Sequence, residues 1–195
     1  VSKIAISGNA SGTGTFTIAA PNSNTDRTLT LPDEAGTVLT SASDITAQAM
    51  NGPAFRVSRT TSTTLSSATN TTVPFNNDFS IYGTSFDTAS CYDATNYRFV
   101  PNVAGYYFFH SQVQATDGNT GTFNLNLLKN GTRIASHQAE TDSTTTYPTH
   151  RVAATLYMNG TTDYVEVQMR QTTGSNMTIY YQEWGFFEGY MVRGA

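Results

Sequence analysis

The stretch RFVPNVAGYYFFHS, Arg98–Ser111, gathers aromatic side chains around one proline and one glycine in an otherwise polar chain. Read with a period of two, Gly105, Tyr107, Phe109 and Ser111 share one face of a strand that continues through Val113 and Ala115. Tyr106, Phe108, His110, Gln112 and Gln114 occupy the other face. Pro101-Asn102 reads as a turn. Phe99 then ends one strand, and Tyr107 and Phe109 point into the core from the next, as in a hairpin. Gly105 is expected to supply backbone angles, or a close approach, that a Cβ would forbid.

The same alternation recurs outward from this stretch. Phe123, Leu125 and Leu127 share a face before the turn dipeptide Asn130-Gly131. Val152, Ala154, Leu156 and Met158 do so before Asn159-Gly160, and Val165, Val167 and Met169 follow. One-sided strands of this kind pack face to face as antiparallel sheets. Eight or more of them within residues 53–195 predict an all-β, antiparallel jelly-roll sandwich.

Composition agrees. Threonine is the commonest of the 195 residues, and charged residues make up 12%, about half the usual fraction. Thr, Tyr and Phe favour strands, while Asn and Gly favour turns. The net charge of −4 and the lack of any Lys/Arg cluster speak against nucleic-acid binding. No apolar run reaches the length of a membrane span, so membrane insertion is not expected. Cys91 is the only cysteine, which excludes an intrachain disulfide and paired thiolate metal ligands.

Residues 1–40 form a different regime, with short Thr-rich alternations such as GTFTIAAP and RTLTLP broken by proline and PDEAG. Too few apolar residues are present to close a core, so this segment is expected to pack against copies of itself as a β-rich stalk. Residues 41–52, SASDITAQAMNG, form the best helical window and read as a linker or neck. The start at Val1 suggests a processed product or the end of a longer polypeptide.

The spacing Asp87, Tyr92, Phe99, Gly105, Tyr107, Phe109 resembles the fingerprint of the C1q domain: an acidic or amide residue, an aromatic, Phe, then Gly-x-Tyr-x-Phe. Ile81 stands where that family has its leading Phe, and Ser111 where it has a closing aromatic. LLKNG at 127–131, NGTTDYVEVQM at 159–169 and FFEGYMV at 186–192 are similar to further family segments in the same order, the last placing Phe187 and Gly189 among the fold-defining positions. The segment TLTLPDEAGT resembles one common in bacteriophage tail-fibre proteins, and no collagen Gly-x-y stalk is present. Together the resemblances imply a C1q/tumour-necrosis-factor-like jelly-roll head on a fibre stalk, assembled as a homotrimer in a virion. Its N-terminal side would meet other virion proteins. Its tip would bind a host surface glycan or outer-membrane protein. A capsid head fibre or decoration protein, and a secreted C1q-like lectin, are the alternatives.

Alternating strand direction backwards from the C terminus places four connections at the end away from the stalk: 60–72, 101–105, 130–148 and 172–181. Residue 116–121 is assigned to the stalk end by the same count. The candidate receptor-binding residues are Asn102, His137, Asp142, Tyr147, Ser175, Asn176, Tyr180 and Tyr181, because aromatic faces beside amides and carboxylates suit sugar recognition. No catalytic residue, metal site or cofactor is expected. The acids Asp87, Asp93, Glu140, Asp142, Glu166 and Glu183 form no distinguished pair for glycoside hydrolysis. No Gly-x-Ser-x-Gly turn is present, and His110, His137 and His150 lack ligand spacing.

Overall fold

The computed structural model describes residues 11–15, 17, 19, 22–26, 28, 52–76, 86–115, 120–141, 147–180 and 184–195. The chain divides into two units, Val1–Thr40 and Ser41–Ala195. The described residues of the first are exposed, and Ser23 Oγ accepts a hydrogen bond from Thr25 N at 3.1 Å. The expected linker at 41–52 lies outside the described residues except for Gly52.

In the second unit the strands are β1 (Ala54–Ser58), β2 (Thr63–Leu65), β3 (Thr71–Thr72), β4 (Phe86–Asp87), β5 (Tyr92–Asp93), β6 (Arg98–Phe99), β7 (Gly105–Gln114), β8 (Gly121–Lys129), β9 (Thr132–Thr141), β10 (Thr149–Met158), β11 (Val165–Gln171), β12 (Met177–Ile179) and β13 (Phe186–Gly194). One sheet has the order β10-β7-β13-β1-β4, and the facing sheet β5-β6-β11-β8-β9, with β3 also on β11. All of these pairings are antiparallel. The expected jelly-roll sandwich is thus the observed fold.

Alternation explains the layering. Along β7 every second side chain from Gly105 to Val113 is buried. β11 buries Val165, Val167 and Met169 in the same way. The inward faces meet in an aromatic core centred on Phe55. Its ring lies 4.3 Å from Phe99 and 4.8 Å from Phe187, with Tyr92 at 5.6 Å. Burying each such ring contributes on the order of 2–3 kcal/mol.

The fingerprint residues have separate physical jobs. Asp87 accepts backbone N–H bonds from Cys91 at 3.0 Å and Tyr92 at 2.8 Å, closing the turn between β4 and β5. The Tyr92 hydroxyl donates to Phe75 O at 2.8 Å, and the Tyr107 hydroxyl to Val103 O at 2.8 Å. Ser111 is fully buried, and its hydroxyl donates to Phe186 O at 2.9 Å. A small hydrogen-bonded side chain therefore fits where an aromatic was expected. At Gly105 close approach is what matters: a Cβ would lie 2.4 Å from Arg193 O.

Two expectations are corrected. Phe99 and Tyr107 do not belong to one hairpin, because β6 and β7 lie in opposite sheets and residues 100–104 cross between them. Their rings meet across the sandwich at 5.8 Å instead. Residues 130–148 are not one loop either. Asn130 and Gly131, at φ 50° and 75°, make a two-residue turn, and β9 follows immediately.

Candidate functional site

The ends of the head follow from register. Met158 and Gly194 lie opposite Gly105, and Ala195 N donates to Ala104 O at 3.2 Å. β1 runs antiparallel to β13, from Ala54 opposite Tyr190 to Ser58 opposite Phe186. The chain therefore enters and leaves the head toward the Gly105 end. Gly160 packs on Val103 and Ala104, and Asn130 N donates to Tyr164 O at 3.1 Å, so residues 100–104, 130–131 and 159–164 cluster there.

The opposite end gathers other segments. Ala115 N donates to Pro148 O at 3.1 Å, Tyr180 N to Gln114 O at 2.9 Å and Thr172 N to Thr122 O at 3.0 Å. Gly121 abuts Thr173 and so lies at this distal end, against the expectation from strand counting, while residues 116–119 lie outside the described residues. Gln171 anchors the neighbouring turn. It is fully buried, donates to Leu65 O at 3.1 Å and Ser175 O at 2.7 Å, and accepts from Thr173 N at 2.7 Å.

At this end Gln114, Tyr147, Tyr180 and Trp184 line a shallow cleft of about 320 Å³. Strand β7 ends at Gln114, whose Nε2 donates to Thr149 Oγ1 at 3.2 Å. Pro148 and Ile179 are tied to Ala115, which sets Tyr147 and Tyr180 side by side. Their rings lie 5.6 Å apart at 58°. Tyr147 is 56% exposed and Trp184 46%, so aromatic surface faces outward. Partial desolvation and the hydrogen-bonded Tyr147 hydroxyl hold the Tyr180 phenol above its usual range. The cleft therefore offers neutral hydroxyls, an amide and ring faces.

The structure brings together two of the expected site residues, Tyr147 and Tyr180. Ser175 and Asn176 lie in the turn before β12 at the same end but do not line the cleft. Asn102 is exposed in the 100–104 crossover at the opposite end, because counting omitted one strand. His137 lies within β9 opposite Leu125, its ring 5.5 Å from His150, and is no loop tip. Asp142 and Tyr181 lie outside the described residues. Gln114 and Trp184 were missed. Gln114 was legible as the last outward residue of the central strand, and Trp184 as the sole tryptophan.

A second surface feature is the outer face of the β10-β7-β13-β1-β4 sheet. Tyr106 pairs with Tyr157 and Phe108 with Tyr190, each at 5.6 Å, and Tyr106 and Tyr190 are about half exposed. Glu188 bridges Arg56 and His110 in the middle of this face, and Arg56 lies 4.0 Å over the Phe186 ring. The facing sheet turns Asn124, Gln168 and Arg170 outward instead. This outer face thus combines two partly exposed aromatic pairs with a central ion-pair cluster.

Residues 54–192 match the sequence profile of the C1q domain. The fold is also similar to solved structures. Eiger TNF from S. frugiperda aligns at 15% identity and TM-score 0.50, over 75% of this chain and 95% of that one. Murine APRIL aligns at 13% identity and TM-score 0.52, over 72% and 99%. The globular domain of zebrafish complement 1qA aligns at 14% identity and TM-score 0.46, over 73% and 99%. Comparison with curated proteins finds no sequence relative.

Proposed function

The chain belongs to the C1q domain family, and we propose that it is a bacteriophage fibre subunit whose homotrimeric head binds a receptor on the host cell surface. C1q and TNF-like domains bind ligands or build structure and are not catalysts. The observation that carries the reading is the position of the aromatic cleft, at the end of the head away from the side where the chain enters. A fibre tip must present its binding groups there, while the N-terminal side faces the rest of the virion.

Two further features support it. The TLTLPDEAGT segment resembles one common in bacteriophage tail-fibre proteins, which supports the viral reading. The outer aromatic face gives three copies a surface to bury, since Tyr and Phe concentrate at the centres of such interfaces and closed threefold symmetry leaves no open face.

The test is adsorption. Fluorescently labelled intact chain is applied to a panel of bacterial strains, and strains that it labels are challenged with phage in the presence of excess unlabelled chain. Saturable labelling and blocked infection are expected. Labelling of no strain would overturn the adsorption reading in favour of a capsid decoration role.

A further inference from the structure

We propose that the cleft between Gln114, Tyr147, Tyr180 and Trp184 is a carbohydrate subsite for one neutral pyranose residue, a hexose or N-acetylhexosamine within a larger glycan. The inference rests on the reading of the head as a ligand-binding tip and names the ligand class and the residues.

Size comes first. A cleft of about 320 Å³ is at the small end of ligand sites and suits a single ring rather than a folded partner. Chemistry comes second. A pyranose has an apolar face of C–H bonds and a rim of hydroxyls. The tilted Tyr147 and Tyr180 rings and the outward Trp184 offer apolar faces, and the two phenols and the Gln114 amide offer donors and acceptors at their margins. Tyr and Trp combine an apolar body with a polar handle at little conformational cost.

The lining also argues against other ligands. Among the described residues no lining side chain carries a charge, so they offer a uronic or sialic acid carboxylate no counter-charge. An extended peptide would need free strand-edge groups. Around the cleft, Tyr180 N is committed to Gln114 O and Ala115 N to Pro148 O. Gln114 is oriented by its bond to Thr149, which reduces the ordering cost on binding.

A ligand this small binds one site with a Kd on the order of millimolar. Three sites engaging one glycan-coated surface raise the apparent affinity by about 10²–10⁴.

Trp184 is the only tryptophan, so its emission reports directly on the cleft. Intact chain is titrated with methyl glycosides of neutral hexoses, N-acetylhexosamines and uronic acids, and Tyr147→Ala is measured in parallel. Tyr147 is exposed, and an unchanged circular dichroism spectrum and melting curve confirm that the variant folds. The proposal predicts a saturable emission change with at least one neutral glycoside, none with its uronic counterpart, and affinity weakened about tenfold or more by Tyr147→Ala. No response to any neutral glycoside, or undiminished binding by the variant, overturns it. Cell labelling separates the two readings. Labelling that survives Tyr147→Ala overturns the sugar cleft and leaves host adsorption standing. Glycoside binding without labelling of any strain supports the cleft and overturns adsorption.

Discussion

Replacing Gly189 with alanine should be among the most damaging single-methyl changes in the head. Gly189 is in the middle of β13, opposite Phe55 of β1 on one side and Phe109 of β7 on the other. A Cβ there would lie 2.7 Å from Phe109 Cδ1, 2.8 Å from Phe108 O and 2.9 Å from Phe55 Cε1. One obstacle is the backbone of a paired strand. The other two are ring atoms that cannot swing away, because Phe55 stacks on Phe99 at 4.3 Å and Phe109 sits 5.8 Å from the same ring. Overpacking a closed core costs about 1–3 kcal/mol, and three simultaneous overlaps place this site at the top of that range. Reduced freedom of the unfolded chain returns about 0.5 kcal/mol, leaving a net loss of roughly 2.5 kcal/mol. With a urea m-value of about 2 kcal/mol/M, the midpoint should fall by about 1.2 M. Circular dichroism and Trp184 emission follow the unfolding, at one protein concentration because assembly contributes to stability. Gly194→Ala is the control, since a Cβ there meets nothing within 4 Å, and its midpoint should not move. Equal midpoints for Gly189→Ala and wild type would refute the packing of β13 against Phe55 and Phe109.

Other expectations follow from the same geometry. Gly105→Ala pushes a Cβ to 2.4 Å from Arg193 O, but β13 ends one residue later and can shift, so the loss should be smaller, about 1–2 kcal/mol in the same urea assay. Gln171→Leu would remove the side-chain donor to Leu65 O and the acceptor of Thr173 N and leave Ser175 O only its bond from the Thr173 hydroxyl, costing about 2–3 kcal/mol, and should raise hydrogen exchange locally through residues 172–176. Burial alone would raise the Asp163 pKa, but hydrogen bonds from Lys129, Asn130 and Asn159 N outweigh it and hold the carboxyl below its ordinary 3.8. A depressed folded pKa means stability that is complete above about pH 4 and is lost as pH falls through the folded value. Asp163→Asn should therefore lower stability at neutral pH and flatten the acid limb of the stability–pH curve below about pH 4.

Much of the sandwich was legible because its long central strands are strictly two-faced. Tyr107, Phe109, Val165, Val167 and Met169 could be assigned inward from alternation alone, and all are buried. Strand β9 escaped because its apolar side chains do not alternate as one large face. The half-buried positions are Ala135, His137 and Ala139, while its one large apolar side chain, Ile134, is exposed between polar residues on the other face. Missing that one strand reversed the directions assigned to β7 and β8, which exchanged the ends given to Asn102 and Gly121. Tyr147 and Tyr180 were assigned correctly to the distal end because they lie close to strands that were counted. The cleft itself was not legible, because Gln114, Trp184 and the two tyrosines come from separate segments that only backbone bonds such as Ala115 N to Pro148 O bring together.

The proposed threefold head would bury the aromatic outer face of the β10-β7-β13-β1-β4 sheet. Sedimentation equilibrium of the purified intact chain measures whether it forms. The subunit mass is 21.1 kDa, so a single species of about 63 kDa that persists on dilution is expected. A stable monomer, with Tyr106 and Tyr190 left open to solvent, would contradict it.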